Sequence, residues 1–328
     1  MSREPLRVSA IIPLYNGAPF IERALRGALT QTLNPAEIIV VDHGSRDGGT
    51  AIVERLSHAY PIRLLRKQNG GQSSARNLGI AHSGGDLVAF LDQDDVWYPN
   101  HLEELTKPFL NLRHEQTGWV YSDVDEIDKN GFMVRRRFLS HIPTRHPKQD
   151  LYDCLASDML LLPSASVISK KALEDVGGFD EHLSGYAHED LFLRIFRAGF
   201  KAVYLNEAFS EWRNPPPGFP YHPPKDLSIY ARKLLSLYED DPAMGRYFAR
   251  DILGPRFLVP MLFEYKRTIH DGEPDLIRAS ADDLRFIRKF VRPKHRARIS
   301  LVLGLGSLGK IAFALQPFIR PLYRRLLS

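Results

Sequence analysis

Three carboxylates lie within four residues at Asp92-Gln93-Asp94-Asp95, directly after the apolar run 86–91. The run predicts a strand buried on both faces, and in an open α/β sheet ligands bind beyond the carboxyl ends of the strands. Neighbouring carboxylates repel one another unless a positive group neutralises them, and Mg²⁺ or Mn²⁺ does so while also taking phosphate oxygens. The cluster therefore predicts a site for a divalent cation and a diphosphate. A solvated acidic turn that caps the next helix is the alternative.

The segment DHGSRD at 42–47 follows another apolar run, 37–42. Asp42 can accept hydrogen bonds from a nucleobase or a ribose, and Gly44 permits a sharp turn. Ser45 or Asp47 can cap the helix that follows. A capped loop between strand and helix explains Ser45 and Asp47, but it leaves Asp42 without a role.

A glycine-rich loop, QNGGQSSARN at 68–77, leads into the next predicted helix. It lacks the Lys-Ser/Thr pair of a phosphate-binding P-loop and the spacing of a dinucleotide fingerprint. The alternative to a binding loop is a plain turn with a helix cap. Arg76, in the first turns of that helix, is placed to face a phosphate or to pair with the acidic cluster.

A second acidic pair, Glu189-Asp190, follows His188 in the segment 177–194 and is predicted to lie just ahead of a helix that starts at Leu191. Acidic residues at a helix start commonly interact with the helix dipole. A carboxylate that projects from a helix start into a cleft can also act as a general base. The local sequence leaves both interpretations open.

The elements that must position these residues alternate regularly in the first hundred residues, as in a doubly wound sheet. Further along, 214–224 holds six prolines in eleven residues and must be a loop. Residues 225–290 have a helical pattern. The spacing predicts strands at 8–14, 37–42, 62–65, 86–91, 119–124 and 201–205, helices at 19–31, 50–58, 73–81, 101–112 and 191–198, and a hairpin or loop at 129–138.

Together these pieces resemble family 2 glycosyltransferases of the GT-A fold. The resemblance covers roughly 8–213 and rests on four motifs in the family's order: IIPLYNG, VVDHGSRDGG, NGGQSSARNLGIAHSGGDLVAFLDQDD and GGFDEHLSGYAHEDLFLRIFRAGF. It implies an α/β fold with a Rossmann-like, mostly parallel sheet flanked by helices, here with a C-terminal helical extension. It further implies a metal-dependent, inverting transfer of a sugar from a nucleoside-diphosphate sugar to a hydroxyl acceptor, in envelope polysaccharide or lipid-linked glycan synthesis.

The resemblance also implies roles for individual residues. Nucleotide-sugar binding falls to a set near the strand ends, the divalent ion, Mn²⁺ or Mg²⁺, to the acidic cluster, and base catalysis to the pair at 189–190. The nucleotide-sugar set is Pro13, Tyr15, Asp42, Arg76, Asp92 and Gln93; the metal ligands are Asp94 and Asp92; the catalytic base is Asp190, with Glu189 positioning acceptor or base.

The chain departs from the family pattern in two places. Many relatives have a second Asp after the residue matching Asp42, whereas His43 stands here, so the base contacts are expected to differ. Relatives also often carry an Arg-x-x-His-like segment after the last strand. Here it reads Glu211-Trp212-Arg213, and the nearest later histidine is His222. The third contact to metal or diphosphate is therefore left open.

Charge divides the 328 residues unevenly, although the net charge is only +5. From Arg285 onward there are eleven Lys or Arg and no Asp or Glu, which leaves 33 basic and 39 acidic residues before it, a net charge of −6. A uniformly basic nucleic-acid binder is therefore not expected. The predicted regions are a catalytic domain at 1–213, a loop and helical extension at 214–290, and a basic amphipathic tail at 291–328.

The tail has two interpretations. An apolar stretch at 300–319 lies between basic flanks, as in an interfacial helix on an anionic membrane. The alternative is a helix packed on the body or on a dimer partner.

Pro13 interrupts the N-terminal apolar run, so no signal peptide or span is expected there, and the single Cys154 excludes a disulfide framework. The expected location is cytoplasmic, with peripheral attachment to the inner face of the membrane through the tail.

Two other functions remain as alternatives. A nucleotidyltransferase also places paired carboxylates and a metal after a strand, although no basic glycine-rich signature is present near residue 15. A catalytically silent nucleotide-binding module could use the same fold. The presence of both Asp94 and Asp190 favours an enzyme.

Overall fold

The computed structural model describes residues 6–110, 116–214, 224–238, 240 and 247–307. The chain divides into two compact units. The first comprises Met1–Cys154 with Asp158–His222, and the second Leu155–Ser157 with Pro223–Ser328.

The beginning of the first unit is a regular alternation of strands and helices. Three of its four strands are short, apolar and buried, and all four are predicted from the sequence to within two residues. The strands are β1 Val8–Leu14, β2 Glu37–Asp42, β3 Ile62–Arg66 and β4 Leu87–Phe90, and the helices are α1 Ile21–Leu29, α2 Gly49–Ser57 and α3 Gly71–His82.

The remainder is less regular and was predicted less completely. The strand at 119–124 is longer than expected, the one at 201–205 continues for eight more residues, and two strands were missed altogether. The elements are β5 Val96–Trp97, α4 His101–Leu110, β6 Thr117–Ile127, β7 Met133–Arg135, α5 Leu151–Ala156, β8 Ser166–Ser169, α6 Lys170–Asp175, α7 Ala187–Arg197 and β9 Lys201–Arg213, with 3-10 turns at Phe138–His141 and Pro163–Ala165.

The strands form one mixed sheet, which within the described residues has nine members in the order β3-β2-β1-β4-β8-β6-β9-β5, with β7 paired to β6. Strand β1 is parallel to both β2 and β4, so three carboxyl ends meet at one edge. Strands β8, β7 and β5 pair antiparallel with their neighbours, whereas β6 and β9 are parallel. The predicted mostly parallel sheet is thus parallel in its first four strands and mixed beyond them.

Close packing of α3 on β1 fixes the helix that carries Arg76. All seven residues of β1 are buried. A Cβ at Gly79 would lie 2.4 Å from Cγ2 of Ile11, so glycine allows α3 to approach the strand closely. Apolar residues of α1 cover the other face, where Leu25 and Ala28 join Ile12 in the main core cluster. The two helices therefore flank the edge at which the polar segments emerge.

The second unit is helical in its described part, which confirms the predicted helical extension. Its core includes Tyr230, Phe257 and Leu284, and a buried hydrogen bond of 2.8 Å joins the hydroxyls of Thr268 and Ser280. No helix in the described ranges is sufficiently long and apolar to cross a membrane. The helices are α8 Pro224–Leu237, α9 Gly254–Asp271, α10 Pro274–Ile287 and α11 Pro293–Ser307, with a π-helical turn at Phe248–Leu253 and a 3-10 turn at Arg288–Phe290.

Two predicted features lie outside the described residues. Most of the proline-rich loop is one, since 215–223 are not described, and His222 belongs to it. The apolar part of the tail is the other, from residue 308 onward. The separate tail region and its membrane contact stay predictions.

Candidate active site

An aromatic stack lies at the edge where the carboxyl ends of β1 and β2 meet. The backbone N–H of His43 donates to the carbonyl of Leu14 (3.0 Å), which ties the two loops together. The ring of Tyr15 stacks on the imidazole of His43, with centroids 5.0 Å apart and planes 18° apart. Tyr15 is 41% exposed and His43 is buried, so the stack presents a flat face at the open end of the sheet.

The hydrogen bonds of His43 fix its tautomer. Its Nδ1 lies 3.2 Å from Oδ1 of Asn69, and the same oxygen accepts the backbone N–H of Gly71 (3.1 Å). Because an amide oxygen can only accept, Nδ1 carries the hydrogen and Nε2 the lone pair. Burial lowers the pKa of His43, which favours the neutral ring. His43 therefore offers an acceptor at the position where the family pattern leads us to expect a second Asp.

Asp42 organises its own loop. Its Oδ1 accepts the backbone N–H groups of Gly44 (3.2 Å) and Ser45 (2.9 Å), and its Oδ2 accepts the hydroxyl of Thr50 (3.0 Å). Burial by itself would raise the pKa of Asp42, but the hydrogen bonds from Ser45, Thr50 and Gly44 bring it below the usual value. Asp42 thus has a structural role in holding this loop. Its contact with a nucleoside stays a prediction.

Gln93 binds the main chain of the Tyr15 loop. Its Oε1 accepts the N–H of Tyr15 (2.8 Å), and its Nε2 donates to the carbonyl of the same residue (3.1 Å). A Cβ at Gly17 would lie 2.3 Å from that Oε1, so glycine leaves the space for this side chain. The amide predicted to contact the nucleotide is used, in the structure, to connect the acidic cluster with the β1 loop.

A buried ion pair joins Asp92 to helix α3. Nη2 of Arg76 lies 2.5 Å from Oδ1 of Asp92, which also accepts Nε2 of Gln72 (2.9 Å). Arg76 has no exposed surface, and its guanidinium lies 5.4 Å from the centroid of the Phe179 ring. Nε and Nη1 of Arg76 have no hydrogen-bond partner among the described residues. Of the two predicted positions for Arg76, facing a phosphate or pairing with the acidic cluster, the structure shows the second.

The other two carboxylates of the cluster differ in their surroundings. Burial and the charge of Asp92 raise the pKa of Asp94 to about 6. Burial, followed by the charges of Asp94 and Asp92, raises the pKa of Asp95 well above its usual value. Asp95 accepts the backbone N–H of Arg213 (2.8 Å), so it faces the protein. The charge of Arg213 lowers the pKa of Asp94 without cancelling these effects, and a cation at Asp94 would relieve the remaining repulsion.

A cavity of about 350 Å³ opens beside Asp94. Arg213, at the end of β9, forms one wall: its Nε donates to the carbonyl of Asp94 (3.2 Å) and its Nη1 to the carbonyl of Asp128 (2.7 Å). Nη2 of Arg213 has no hydrogen-bond partner among the described residues. The lining is completed by Pro19, Phe20, Arg23, Lys129, Asn130 and Gly131.

The carboxylates of Asp94 and Asp92 fit a cation that takes most of its ligands from substrate phosphates and water. In the described part of the chain no three His, Cys, Asp or Glu side chains are grouped so as to hold a metal. Asp94 lines the cavity, and Asp92 keeps Oδ2 on the side away from its bonds to Arg76 and Gln72. Mg²⁺ commonly binds through one or two carboxylates plus substrate phosphates and water. Asp94 and Asp92 are suited to that kind of site.

The pair Glu189-Asp190 lies inside the first turn of α7 and not ahead of it. The helix begins at Ala187, four residues before the predicted start, and the N–H of Asp190 donates to the carbonyl of Tyr186 (3.0 Å). Both acidic residues are buried. Nε and Nη2 of Arg194 each lie 2.8 Å from Oδ2 of Asp190, while Oε1 of Glu189 accepts the N–H of Met159 (2.7 Å).

Helix α3 joins the glycine-rich motif to the segment before α7. The side-chain amide of Asn77 both accepts from the N–H of Phe179 (2.8 Å) and donates to its carbonyl (2.9 Å). The hydroxyl of Ser73 donates to the carbonyl of Leu183 (2.7 Å). Motifs that lie about a hundred residues apart in sequence thus share one wall of the site.

Comparison with known proteins decides the family. The family model described as "Glycosyl transferase family 2" matches residues 9–177, just over half of the chain. The chain belongs to glycosyl transferase family 2. An uncharacterized glycosyltransferase of Rickettsia bellii is 37% identical to this chain over 201 residues, 61% of this chain and 28% of the relative. One from Rickettsia prowazekii is 35% identical over 208 residues, 61% of either protein. The chain thus spans less than two thirds of these relatives.

Two solved structures show the same fold. Staphylococcus aureus TarS 1-349 in complex with UDP-GlcNAc superposes with a TM-score of 0.61 at 17% identity, covering 92% of this chain and 90% of that one. The mannosyltransferase PcManGT from Pyrobaculum calidifontis, in complex with GDP-Man and Mn²⁺, gives 0.56 at 19% identity and covers 96% and 84%. The likeness confirms a mixed sheet with flanking helices of the GT-A type.

Three candidate functional residues are not indicated by the sequence motifs. Arg213 was read only as a departure from the family segment, yet it forms a wall of the Asp94 cavity. The predicted strand ends at 205, so no local signal places Arg213 at the end of β9. Asn77 and Gln72 act through side-chain amides on partners distant in sequence, and no local pattern indicates such contacts.

Proposed function

We propose that this protein transfers a sugar from a nucleoside-diphosphate sugar to a hydroxyl acceptor, with inversion at the anomeric carbon and with Mn²⁺ or Mg²⁺ bound at Asp94 and Asp92. The observation that carries the proposal is the cavity in which the Asp94 carboxylate and the Arg213 guanidinium lie together. A diphosphate needs a cation and hydrogen-bond donors at once, and this wall supplies a carboxylate for the one and a guanidinium for the other.

The nucleoside would bind at the Tyr15–His43 stack. Tyr15 offers its exposed ring, and Nε2 of His43 offers an acceptor for an N–H of the base. Pro13, Asp42 and Gln93 support the same edge of the sheet, Asp42 and Gln93 by holding the loops on which the stack lies. The solved relatives carry UDP-GlcNAc or GDP-Man, which is compatible with a nucleoside diphosphate but leaves the base and the sugar of this donor to experiment.

Asp190 is the proposed base. Arg194 holds its Oδ2 in a fixed direction through two contacts, and Glu189 anchors the start of the same helix to the main chain of Met159. The acceptor hydroxyl would give its proton to the Asp190 carboxylate while its oxygen bonds to the anomeric carbon and the bond to the nucleoside diphosphate breaks. When bound, the metal offsets the negative charge that develops on the leaving diphosphate.

The acceptor is proposed to be a growing envelope polysaccharide or a lipid-linked glycan, with the basic tail from 291 onward on the anionic inner face of the membrane. From 291 onward the chain has eight Lys or Arg residues and no Asp or Glu, which supports the attachment. The tail contact is separate from the transfer chemistry and can fail without it.

Product analysis tests the reaction. Nucleotide sugars are first screened for the one that raises the melting temperature in the presence of Mn²⁺, because a ligand that binds only the folded state stabilises it. That donor is then incubated with enzyme and released nucleotides are separated. Release of nucleoside diphosphate supports glycosyl transfer, and release of pyrophosphate would show a nucleotidyltransferase. Neither binding nor turnover of any nucleotide sugar would indicate a silent module.

A further inference from the structure

The hairpin that connects β6 to β7 projects an ordered tip. Oδ1 of Asp128 accepts the N–H groups of Asn130 (2.8 Å) and Phe132 (2.9 Å), and the N–H of Asp128 donates to the carbonyl of Phe132 (2.9 Å). Antiparallel pairing of Glu126 with Arg135 continues the hairpin. The tip is therefore a fixed feature of the surface.

The strand β7 and its flanking residues expose apolar side chains next to arginines. Nε of Arg135 lies 3.7 Å from Oε2 of Glu126, and Nη2 of Arg137 donates to Oδ1 of Asn206 (2.6 Å), so these arginines are directed at the protein. Alternate residues of a strand point to opposite faces. Phe132 and Val134, on the other face from Arg135, are 71% and 55% exposed. Phe132 and Val134 therefore face solvent. Met133 shares the face of Arg135, whose exposed side chain reaches back to Glu126.

Two cations accompany the exposed apolar residues. Arg136 is exposed and has neither an ion pair nor a hydrogen bond within the described ranges, and the same holds for the side chain of Lys129 at the base of the turn. Met133 adds a further half-exposed apolar side chain at 44%. Apolar side chains at a tip with unpaired cations beside them match the two layers of an anionic bilayer surface, acyl chains and phosphate headgroups.

We propose that the segment Phe132–Arg136, here called the hairpin tip, docks on an anionic lipid bilayer. Three apolar side chains are far from the roughly 800 Å² per partner that a stable protein interface buries. They suffice for shallow insertion, because moving an apolar side chain out of water into the acyl region is favourable. Arg136 and Lys129 supply the complementary charge for phosphate headgroups.

Docking of the hairpin tip would place the candidate donor cavity at the membrane. Lys129, Asn130 and Gly131 line the same cavity as Asp94. An acceptor anchored in the bilayer by a lipid would then reach the site from the membrane surface. The docking itself depends on neither the proposed transfer reaction nor the tail, so each can be tested and can fail alone.

A site-specific probe tests the contact in the full chain. The only cysteine, Cys154, is buried. A thiol-reactive, environment-sensitive fluorophore on Val134→Cys therefore reports the hairpin tip, and the same label on Tyr60→Cys, also an exposed position of the first unit, serves as the control. Vesicles of phosphatidylcholine with phosphatidylglycerol are expected to shift the emission of the label at 134 to the blue, with no shift at 60. Absence of a shift at 134, or an equal shift at both positions, would overturn the proposal.

Vesicle co-sedimentation distinguishes the apolar contribution to membrane binding from the electrostatic one. The double variant Phe132→Ser with Val134→Ser is expected to lower partitioning at least about tenfold, and Arg136→Gln about fivefold, the loss vanishing at high salt. The pair Val259→Ser with Phe263→Ser, equally exposed in the second unit, is the matched control. Nucleotide-induced thermal stabilisation must stay unchanged in all variants. Unaltered partitioning of the hairpin variants, equal loss in the control pair, or a blue shift that tracks protein concentration without vesicles would contradict membrane docking.

Discussion

The side-chain amide of Gln93 forms two hydrogen bonds with the main chain of Tyr15, at 2.8 and 3.1 Å. One residue of the acidic cluster thereby fixes the loop that carries the candidate base-stacking ring, 78 residues away in sequence. The proposed nucleoside and metal sites are consequently not independent. A change at Gln93 should alter nucleotide binding without touching a metal ligand.

Replacing Gln93 by Leu is expected to weaken binding of the nucleoside diphosphate about tenfold, since two hydrogen bonds of roughly 0.5–1.5 kcal/mol each no longer position Tyr15. Calorimetric titration measures the loss. Gly17→Ala should reproduce it, because its Cβ would lie 2.3 Å from Oε1 of Gln93 and displace the amide.

The double variant is the control for that coupling. If both changes act by freeing the Tyr15 loop, Gly17→Ala adds little to Gln93→Leu. Additive losses would show that the two residues act separately, and the proposed connection would then be wrong.

Prediction from sequence succeeded where one run of residues carries the whole signal. The continuous apolar runs of β1, β2 and β4 marked buried parallel strands, and hence the edge at which the polar segments lie. It failed for β8, since Ser166–Ser169 is only four residues long and is defined by its neighbours β4 and β6. The extension of β9 likewise depends on an irregular pairing with β6.

The site residues follow the same division. The positions of Asp92, Asp94 and Asp190 could be read from motifs, although their roles stay predictions. The sequence does not show which of these side chains already have partners. The Gln93 amide binds the main chain of Tyr15, and the Asp190 carboxylate pairs with Arg194. Those contacts arise from packing of elements distant in sequence, to which local patterns are blind.

Asp94→Ala is expected to abolish metal-dependent turnover of the donor and to remove the Mn²⁺-dependent part of nucleotide affinity. Asp94 is the carboxylate of the cluster that lines the cavity, and burial together with the charge of Asp92 raises its pKa, so a cation would stabilise its charged form. Nucleoside-diphosphate binding with and without Mn²⁺ measures the effect. Asp47→Ala, a loop carboxylate that accepts from the N–H of Ala18, is the comparison. Full metal-dependent activity in the Asp94 variant would refute the assignment.

Asp190→Asn should separate binding from chemistry. The amide keeps the shape of the side chain but cannot take up the proton of the acceptor, so kcat is expected to fall on the order of 10²–10⁴-fold while donor affinity is retained. Glu174→Gln, on the exposed face of α6, should leave both unchanged. A parallel loss of donor affinity would point to a structural role for the Asp190–Arg194 pair instead of base catalysis.

Arg213→Lys tests the wall opposite the proposed metal. Lysine keeps the positive charge but has one nitrogen in place of the separate Nε and Nη1 that bind the carbonyls of Asp94 and Asp128, and it lacks the planar fork that suits a phosphate. We expect affinity for the nucleoside diphosphate to fall about tenfold, at unchanged affinity for the nucleoside alone. Equal loss for both ligands would show that the arginine acts on folding of the site and not on the diphosphate.

Stability of the first unit should fall on acidification through His101. Burial lowers the pKa of His101 to about 3, with its Nδ1 3.2 Å from the carbonyl of Phe209 and its ring stacked on Trp97. The unfolded chain takes up a proton near the ordinary value of about 6.5, whereas the folded protein does so only near 3. The stabilisation is therefore complete above about pH 6.5 and is lost as pH falls toward 3, with a slope of up to about 1.4 kcal/mol per pH unit.

Urea unfolding followed by tryptophan fluorescence measures that slope, because Trp97, Trp119 and Trp212 all lie in the first unit. His101→Phe keeps a ring against Trp97 and removes the titrating group, so its unfolding free energy should depend less steeply on pH between 6.5 and 4. At pH 8 the unfolding free energy of the variant should also be lower than that of the wild type, because the variant lacks the hydrogen bond to the carbonyl of Phe209. An identical pH dependence in both proteins would place the acid sensitivity in other groups, of which His146, with a pKa lowered by burial to about 4, would be the next to replace.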